Sequence, residues 1–359
     1  MKVMRFAWKN FRNLPEGEIV PCDSVNVISG KNAQGKTNLL EGMWLFTGER
    51  SFRRAKDAEL IRTGCTQSLL QLDFYGAERE QSARIRISEG RRHAELNRVP
   101  KKSCAAMIGE FRAAVFSPEH LSLLQGGPSG RRNFVDAALC QVRPAYAAVF
   151  TEYGRALSQR NALLKEIPRH AELLDTLDVW DSRLLKSGGQ IMRWREAYLQ
   201  KLAEPAARFY SGICSGREEL VLRYEKNAPD FPAALESSRR ADLAAGHTCS
   251  GPHRDDIAVE ISGMDARAYG SQGQKRSAVI AMKLAEAELL TGSTGERPVV
   301  FLDDVLSELD GERQGYLLNR LDGFQVFITC CEPEAVQCAA RGRVFHMEQG
   351  RPSADGKGE

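Results

Sequence analysis

The apolar positions of this chain change period twice. Over the first ~115 residues they alternate, as in Gln71-Leu72-Asp73-Phe74-Tyr75 and Ala83-Arg84-Ile85-Arg86-Ile87. Successive side chains of a strand point to opposite faces, so these stretches read as half-buried antiparallel strands. Two runs lack the alternation, Ser24-Val25-Asn26-Val27-Ile28 and Ala113-Ala114-Val115-Phe116, and predict buried strands. From Pro118 to about Ala241 the period becomes helical. Ala145 to Ile167 and His170 to Glu204 are nearly free of glycine, and Leu173, Leu174, Leu177, Trp180, Leu184 and Leu185 recur at helical spacing. Pro144, Pro168 and Pro205 mark where these helices should start or stop. The pattern predicts a helical hairpin or small bundle with the leucines as its core.

Strand-like pieces then return. Glu219 to Tyr224 and the alternating Ile257-Ala258-Val259-Glu260-Ile261 are followed by a strong helix pattern from Gln274 to Leu290. Pro298-Val299-Val300-Phe301-Leu302, Gln325-Val326-Phe327-Ile328-Thr329 and Arg343-Val344-Phe345-His346-Met347 predict three more strands, with a helix near Glu312 to Leu321 between the first two. The domain organisation implied is an α/β head made of residues 1–115 and 246–350, split by a mainly helical insertion at 116–245. Residues 351–359 carry Gly, Pro, Ser and charge and read as a flexible tail.

Composition narrows the class without naming an activity. The 359 residues can bury a large core, and 42% hydrophobic and 27% charged residues are ordinary for a soluble protein. There is no apolar run of 18 residues, and the N-terminus lacks a signal-peptide core, so neither a membrane span nor export is expected. Nine cysteines without a C-x-x-C pair fit reduced thiols in a cytoplasmic protein. Net charge is only +3, but residues 1–112 hold 20 Lys/Arg against 13 Asp/Glu. A basic half of this kind could face a phosphate backbone or be a solvated surface. Arg53, Arg54, Arg91 and Arg92 are the candidate contacts to such a backbone.

The chemistry lies in four short motifs. Gly30-Lys31-Asn32-Ala33-Gln34-Gly35-Lys36-Thr37 fits the phosphate-binding P-loop, with a strand before it and a helix from Asn38 after it. Backbone N–H groups of the loop and the helix N-terminus would meet phosphate oxygens. Lys36 would reach the β- and γ-phosphates of ATP, and Thr37 would hold Mg2+. Val299-Val300-Phe301-Leu302-Asp303-Asp304 is an apolar strand ending in two carboxylates. Asp303 is the expected Mg2+-side carboxylate and Asp304 the expected general base. Ser271-Gln272-Gly273-Gln274 opens a helix, as the signature motif of ABC-type ATPases does, and Ser307-Glu308-Leu309-Asp310 matches their D-loop. In that class the signature binds the γ-phosphate of ATP held by another subunit. One P-loop and one signature per chain therefore imply a head-to-tail homodimer around two ATP molecules.

Three further stretches refine the class: Phe11-Arg12-Asn13, then Pro118-Glu119-His120-Leu121 with Gly126-Gly127-Pro128-Ser129-Gly130-Arg131-Arg132-Asn133-Phe134-Val135-Asp136, and Ser250-Gly251-Pro252-His253-Arg254-Asp255-Asp256. Together with the motifs above, they resemble the RecF family of bacterial recombination mediators, of the ABC/SMC-like ATPase class. The resemblance implies an ABC/SMC-like P-loop head and ATP-dependent DNA binding in repair of gapped DNA. It also implies work with RecO and RecR in loading the RecA recombinase, and a tie to the SOS response. Ala33 stands where many ABC heads have Gly, which suggests that this position does not need a positive φ. Gln272 replaces the second Gly of the transporter signature. Thr329-Cys330 stands where many ABC ATPases have a switch histidine, and Asp304 is one methylene shorter than the transporter glutamate. The last two point to a slow ATP-driven switch. The residues alone leave three rivals: a transporter ATPase subunit, the ATPase of a nuclease complex, and a P-loop kinase or GTPase.

Overall fold

A computed structural model describes residues 1–331 and 342–354. Six strands form an antiparallel sheet in the order β2-β1-β4-β5-β6-β7. They are β1 (Lys2–Phe11), β2 (Leu14–Ile19), β4 (Gln67–Gly76), β5 (Arg79–Ser88), β6 (Arg91–Leu96) and β7 (Val99–Pro100). A second sheet has the order β15-β14-β3-β13-β12-β8. Its members are β3 (Val25–Ser29), β8 (Ala113–Phe116), β12 (Val299–Asp303), β13 (Val326–Cys330), β14 (Arg343–Glu348) and β15 (Arg351–Ala354). All its pairings are parallel except that of β15 with β14.

The continuous apolar runs are explained by this second sheet, which is buried on both faces. Val299, Phe301, Phe327 and Ile28 face one core, shared with Phe6, Phe11, Leu70 and Ile85 of the antiparallel sheet and with Leu39, Leu40 and Met43 of α1 (Lys36–Trp44). Val27, Val300, Leu302 and Ile328 face the other core, built mainly from helices. The helices after α1 are α2 (Pro118–Leu121), α3 (Pro128–Val142), α4 (Pro144–Glu166), α5 (Leu177–Ile213), α6 (Phe231–Ser237), α7 (Arg239–Ala245), α8 (Ala266–Tyr269), α9 (Gln272–Thr294) and α10 (Gly311–Arg320), and all of these but α7 contribute to this core. The helical pair α4–α5 and the long contact of α5 with α9 dominate this side.

Three features depart from the sequence expectation. Pro205, expected to end a helix, lies inside α5, which runs 37 residues. Pro205 and Ala206 are buried in that helix, so packing outweighs the lost backbone bond. Residues 256–265, expected in the head, form β10 (Asp256–Ile261) and β11 (Met264–Asp265), which make a separate three-stranded sheet with β9 (Leu220–Glu225) of the insertion. The pairing runs from Asp256 opposite Glu225 to Ile261 opposite Leu220. Part of the expected flexible tail, 351–354, is strand β15, paired through Glu348 opposite Arg351. Residues 355–359 lie outside the described chain.

Candidate nucleotide-binding site

Parallel strands bring their C-terminal ends to one edge of the sheet, and chain segments far apart in sequence meet there. The loop after β3 turns into α1, β12 ends in Asp303, and β13 lies between β3 and β12. Gly30 has φ 147, and a Cβ there would sit 2.5 Å from the Met347 carbonyl oxygen, so only glycine fits. Lys36 donates from Nζ to the carbonyls of Gly30 at 2.6 Å and Lys31 at 3.0 Å, which holds the ammonium over the loop. Ala33 has φ 64, against the expectation that it needs no positive φ. A left-handed alanine costs about 1–2 kcal/mol. Asn13 offsets part of that cost by donating from Nδ2 to the Ala33 carbonyl at 2.9 Å. The Asn13 oxygen accepts from Asn38 Nδ2 at 2.8 Å. The side chain thus ties the loop to the first turn of α1, a role the motif Phe11-Arg12-Asn13 did not reveal by itself. Gln34 accepts the Gln349 N–H through its Oε1, and Asn32 accepts the Cys331 thiol at 3.3 Å.

Thr37 donates from Oγ1 to Asp303 Oδ1 at 2.8 Å, across 266 positions of sequence. The same oxygen accepts from Thr329 Oγ1 at 2.9 Å. Asp303 is 3% exposed, and desolvation raises its pKa above the usual carboxylate range despite those two hydroxyl donors. A cation beside the hydroxyl and carboxylate would offset that desolvation, and this pair of oxygen donors suits a hard divalent ion. No group of three or more His, Cys, Asp or Glu side chains converges as a metal site among the described residues. An ion here would therefore lean on phosphate oxygens and water, as Mg2+ does. Asp304 is exposed, has φ 53, and donates its N–H to Thr329 Oγ1 at 2.8 Å. Ser307 of the D-loop donates to its carbonyl at 2.8 Å and to its Oδ1 at 3.2 Å. Thr329 Oγ1 thus serves the Asp303 carboxylate and the Asp304 backbone N–H at once, at the position where the sequence has no switch histidine.

The signature residues are held by other neighbours. Ser271 caps α9, accepting from the Gln274 N–H at 3.2 Å, while Gln274 Oε1 accepts from the Ser271 N–H at 2.8 Å. Gln272 accepts from Gln125 at 2.8 Å, and Gln274 donates to Glu218 at 2.8 Å. The Gly273 carbonyl accepts from Ser277 Oγ at 2.9 Å, which in turn accepts from Arg313 Nε at 2.8 Å. The D-loop is joined to this helix: Arg276 donates to the Glu308 carbonyl at 2.9 Å, and Asp310 caps α10 by accepting the Arg313 N–H at 3.0 Å. Leu309 is buried in the helical core.

The two arginine pairs lie on adjoining segments, joined by the ion pair of Arg92 with Asp57. Arg53 donates to Asn38 Oδ1 at 2.9 Å and lies 3.9 Å from the buried Glu41, which Arg12 grips with both arms at 2.8 and 2.9 Å. That puts Arg53 beside the nucleotide helix. Arg92 pairs with Asp57 at 3.0 Å and donates to the Glu49 carbonyl at 2.7 Å, leaving its side chain 11% exposed. Arg54 and Arg91 are exposed.

The remaining two motifs meet each other. Arg131 holds Asp256 by two bonds of 2.8 Å, and Arg132 donates to the Asp255 carbonyl at 2.7 Å. Arg195 of α5 holds Asp136 by two bonds of 2.8 Å and donates to the Pro252 carbonyl at 2.7 Å. His253 is held between Tyr153 Oη and the Thr248 carbonyl, and burial pushes its pKa down to about 4, so it stays neutral. This is a buried latch joining α3, α5 and the entry to β10.

Residues 2–353 match the family model described as RecF/RecN/SMC N terminal domain. The chain is 37% identical over 347 residues to the DNA replication and repair protein RecF of Acetivibrio thermocellus, covering 93% of this chain and 94% of that one. It belongs to the RecF family. A solved structure of the recombination mediator protein RecF with ATP, from the RecFOR pathway, superposes with a TM-score of 0.90 at 34% identity, over 99% of this chain and 97% of that one. The Smc head domain of Pyrococcus furiosus, bound to the C-terminal domain of ScpA, superposes at a TM-score of 0.56 and 14% identity. That likeness confirms the fold as an ABC/SMC-like P-loop head. No described helix is long and apolar enough to cross a membrane.

Proposed function

We propose that this chain is an ATP-gated DNA-binding protein of recombinational repair and replication. The observation that carries the reading is the Thr37–Asp303 bond at 2.8 Å, which assembles a P-loop and a strand-end carboxylate into one site at the sheet edge. The RecF relatives and the ATP-bound RecF mediator support ATP as the nucleotide and DNA as the substrate. In this reading Thr37 and Asp303 hold Mg2+, and Lys36 leaves its loop carbonyls for the phosphates. Ser271 and the N–H groups after it bind the γ-phosphate of ATP on a second copy. Asp304 acts as general base, and hydrolysis is slow because its side chain is short and the next strand ends in Thr329-Cys330. The dimer forms on DNA gaps or duplex in the cytoplasm and, with RecO and RecR, helps to load RecA during the response to DNA damage.

Lys36→Ala is expected to weaken ATP binding by about 1.5–3 kcal/mol or more, the usual worth of a lost charged contact. Equilibrium titration with a fluorescent ATP analogue measures it, and near-native affinity would remove Lys36 from the site. DNA binding with and without ATP, followed by sedimentation, tests the whole reading. ATP should raise both affinity and dimer content. Backbone contacts release counterions, so affinity should fall steeply between about 50 and 200 mM salt. Affinity indifferent to ATP and salt would contradict an ATP-gated, electrostatic mode.

A further inference from the structure

Tyr269 is the most exposed large apolar side chain among the described residues, at 73%. Isolated exposed aromatics are common and need no explanation. This one stands on a backbone built to hold it. Asp265 caps α8 by accepting the Ala268 N–H at 2.9 Å, and the Gly270 N–H donates to the Ala266 carbonyl at 3.1 Å. Lys275, in the first turn of α9, donates to the Arg267 carbonyl at 2.9 Å and ties the two helices together. Gly270 tolerates no side chain, because a Cβ there would lie 2.5 Å from the Ala266 oxygen. The turn thus carries the ring on a fixed frame two residues before the signature serine, a chain distance of at most about 7 Å. Met264, 55% exposed, lies on the strand just before it.

The P-loop side recognises phosphate. Its amides and Lys36 address oxygens that every nucleoside triphosphate carries, so base selection has to come from elsewhere. Resting on the clamp reading above, we propose that Tyr269 stacks on the base of the triphosphate held by a second copy of this chain. The signature face then reads the base as well as the γ-phosphate. Aromatic side chains stack on nucleobases through their π-faces, and the larger purine gives more overlap than a pyrimidine. Base selection would therefore appear when two copies close, more than when one copy binds nucleotide.

The test is the dimer dissociation constant by sedimentation velocity, with ATP or CTP saturating the monomer. The intact chain should dimerise about tenfold or more tightly with ATP than with CTP. Tyr269→Ala should bring that ratio close to one, and Tyr269→Phe should keep it. Equal constants for ATP and CTP in the intact chain, or an unchanged ratio in Tyr269→Ala, would overturn the assignment. So would a Tyr269→Ala variant that keeps the ratio but loses affinity for single-stranded DNA, since the ring would then serve DNA bases. If no triphosphate produces a dimer, the clamp reading itself fails, and this inference falls with it.

Discussion

Ser271→Arg is expected to abolish ATP-dependent dimers while leaving ATP on the monomer. The P-loop side is built from β3, α1, β12 and β13, whereas Ser271 is held through Gln274 and its neighbours Gln125 and Glu218. An arginine at this position fills the space at the helix N-terminus and removes the amide-lined pocket for the γ-phosphate. ADP lacks that phosphate, so in the proposed clamp the equilibrium between one copy and two would be set by contacts only the triphosphate makes. Ser271 is also the N-cap of α9, and losing the cap costs about 1 kcal/mol on its own. Ser271→Asp separates the two effects, because aspartate caps as well as serine but repels phosphate. Sedimentation with ATP should find both variants monomeric. Persistent dimers in either would mean that the clamp does not use this face.

The second large effect is on stability. Asp136→Ala should destabilise the fold by about 3–5 kcal/mol, because it leaves the Arg195 guanidinium buried without its carboxylate. Arg195 is 2% exposed and Asp136 5%, and Tyr146 Oη also donates to Asp136 at 2.5 Å. Replacing both partners, as Asp136→Leu with Arg195→Met, should recover much of the loss, since a packed apolar pair can match a buried ion pair. Urea unfolding followed by tryptophan fluorescence measures both. A single variant within about 1 kcal/mol of the parent would show that water or the neighbouring Asp255, 3.8 Å from Arg195, already satisfies the charge.

Much of the candidate site's geometry was legible because it is local. Gly30 through Thr37 form a loop and a helix start within eight residues, and Asp303 follows from an apolar strand that must end at a sheet edge. Asn13 and Thr329 stand out in the sequence, but their partners were not legible. Asn13 bonds Ala33 and Asn38, Thr329 bonds the Asp303 carboxylate and the Asp304 N–H, and no periodicity records such distant partners. Ala33 shows the same limit from the other side. Alanine predicts a negative φ on its own, and it takes a positive one because Asn13 holds its carbonyl. Arg53 and Arg92 contribute to the positive half of the sequence, and within the chain one donates to Asn38 of α1 and the other pairs with Asp57, partners that charge counting does not record.

From the order of its residues alone, this chain determined its α/β head, its P-loop, its paired carboxylates and its helical insertion, because strand and helix periods and glycine-rich turns are set by neighbours in sequence. Tertiary structure decided the rest. β10 pairs with β9 in a sheet of its own and not with the other two sheets, since a strand joins whichever edge completes its hydrogen bonds. Residues 351–354 are a strand for the same reason, because β14 offers them an open edge. The Gly126–Asp136 and Ser250–Asp256 motifs became a latch only when Arg131 and Arg195 were buried, where an ionic group is stable only with its partner beside it.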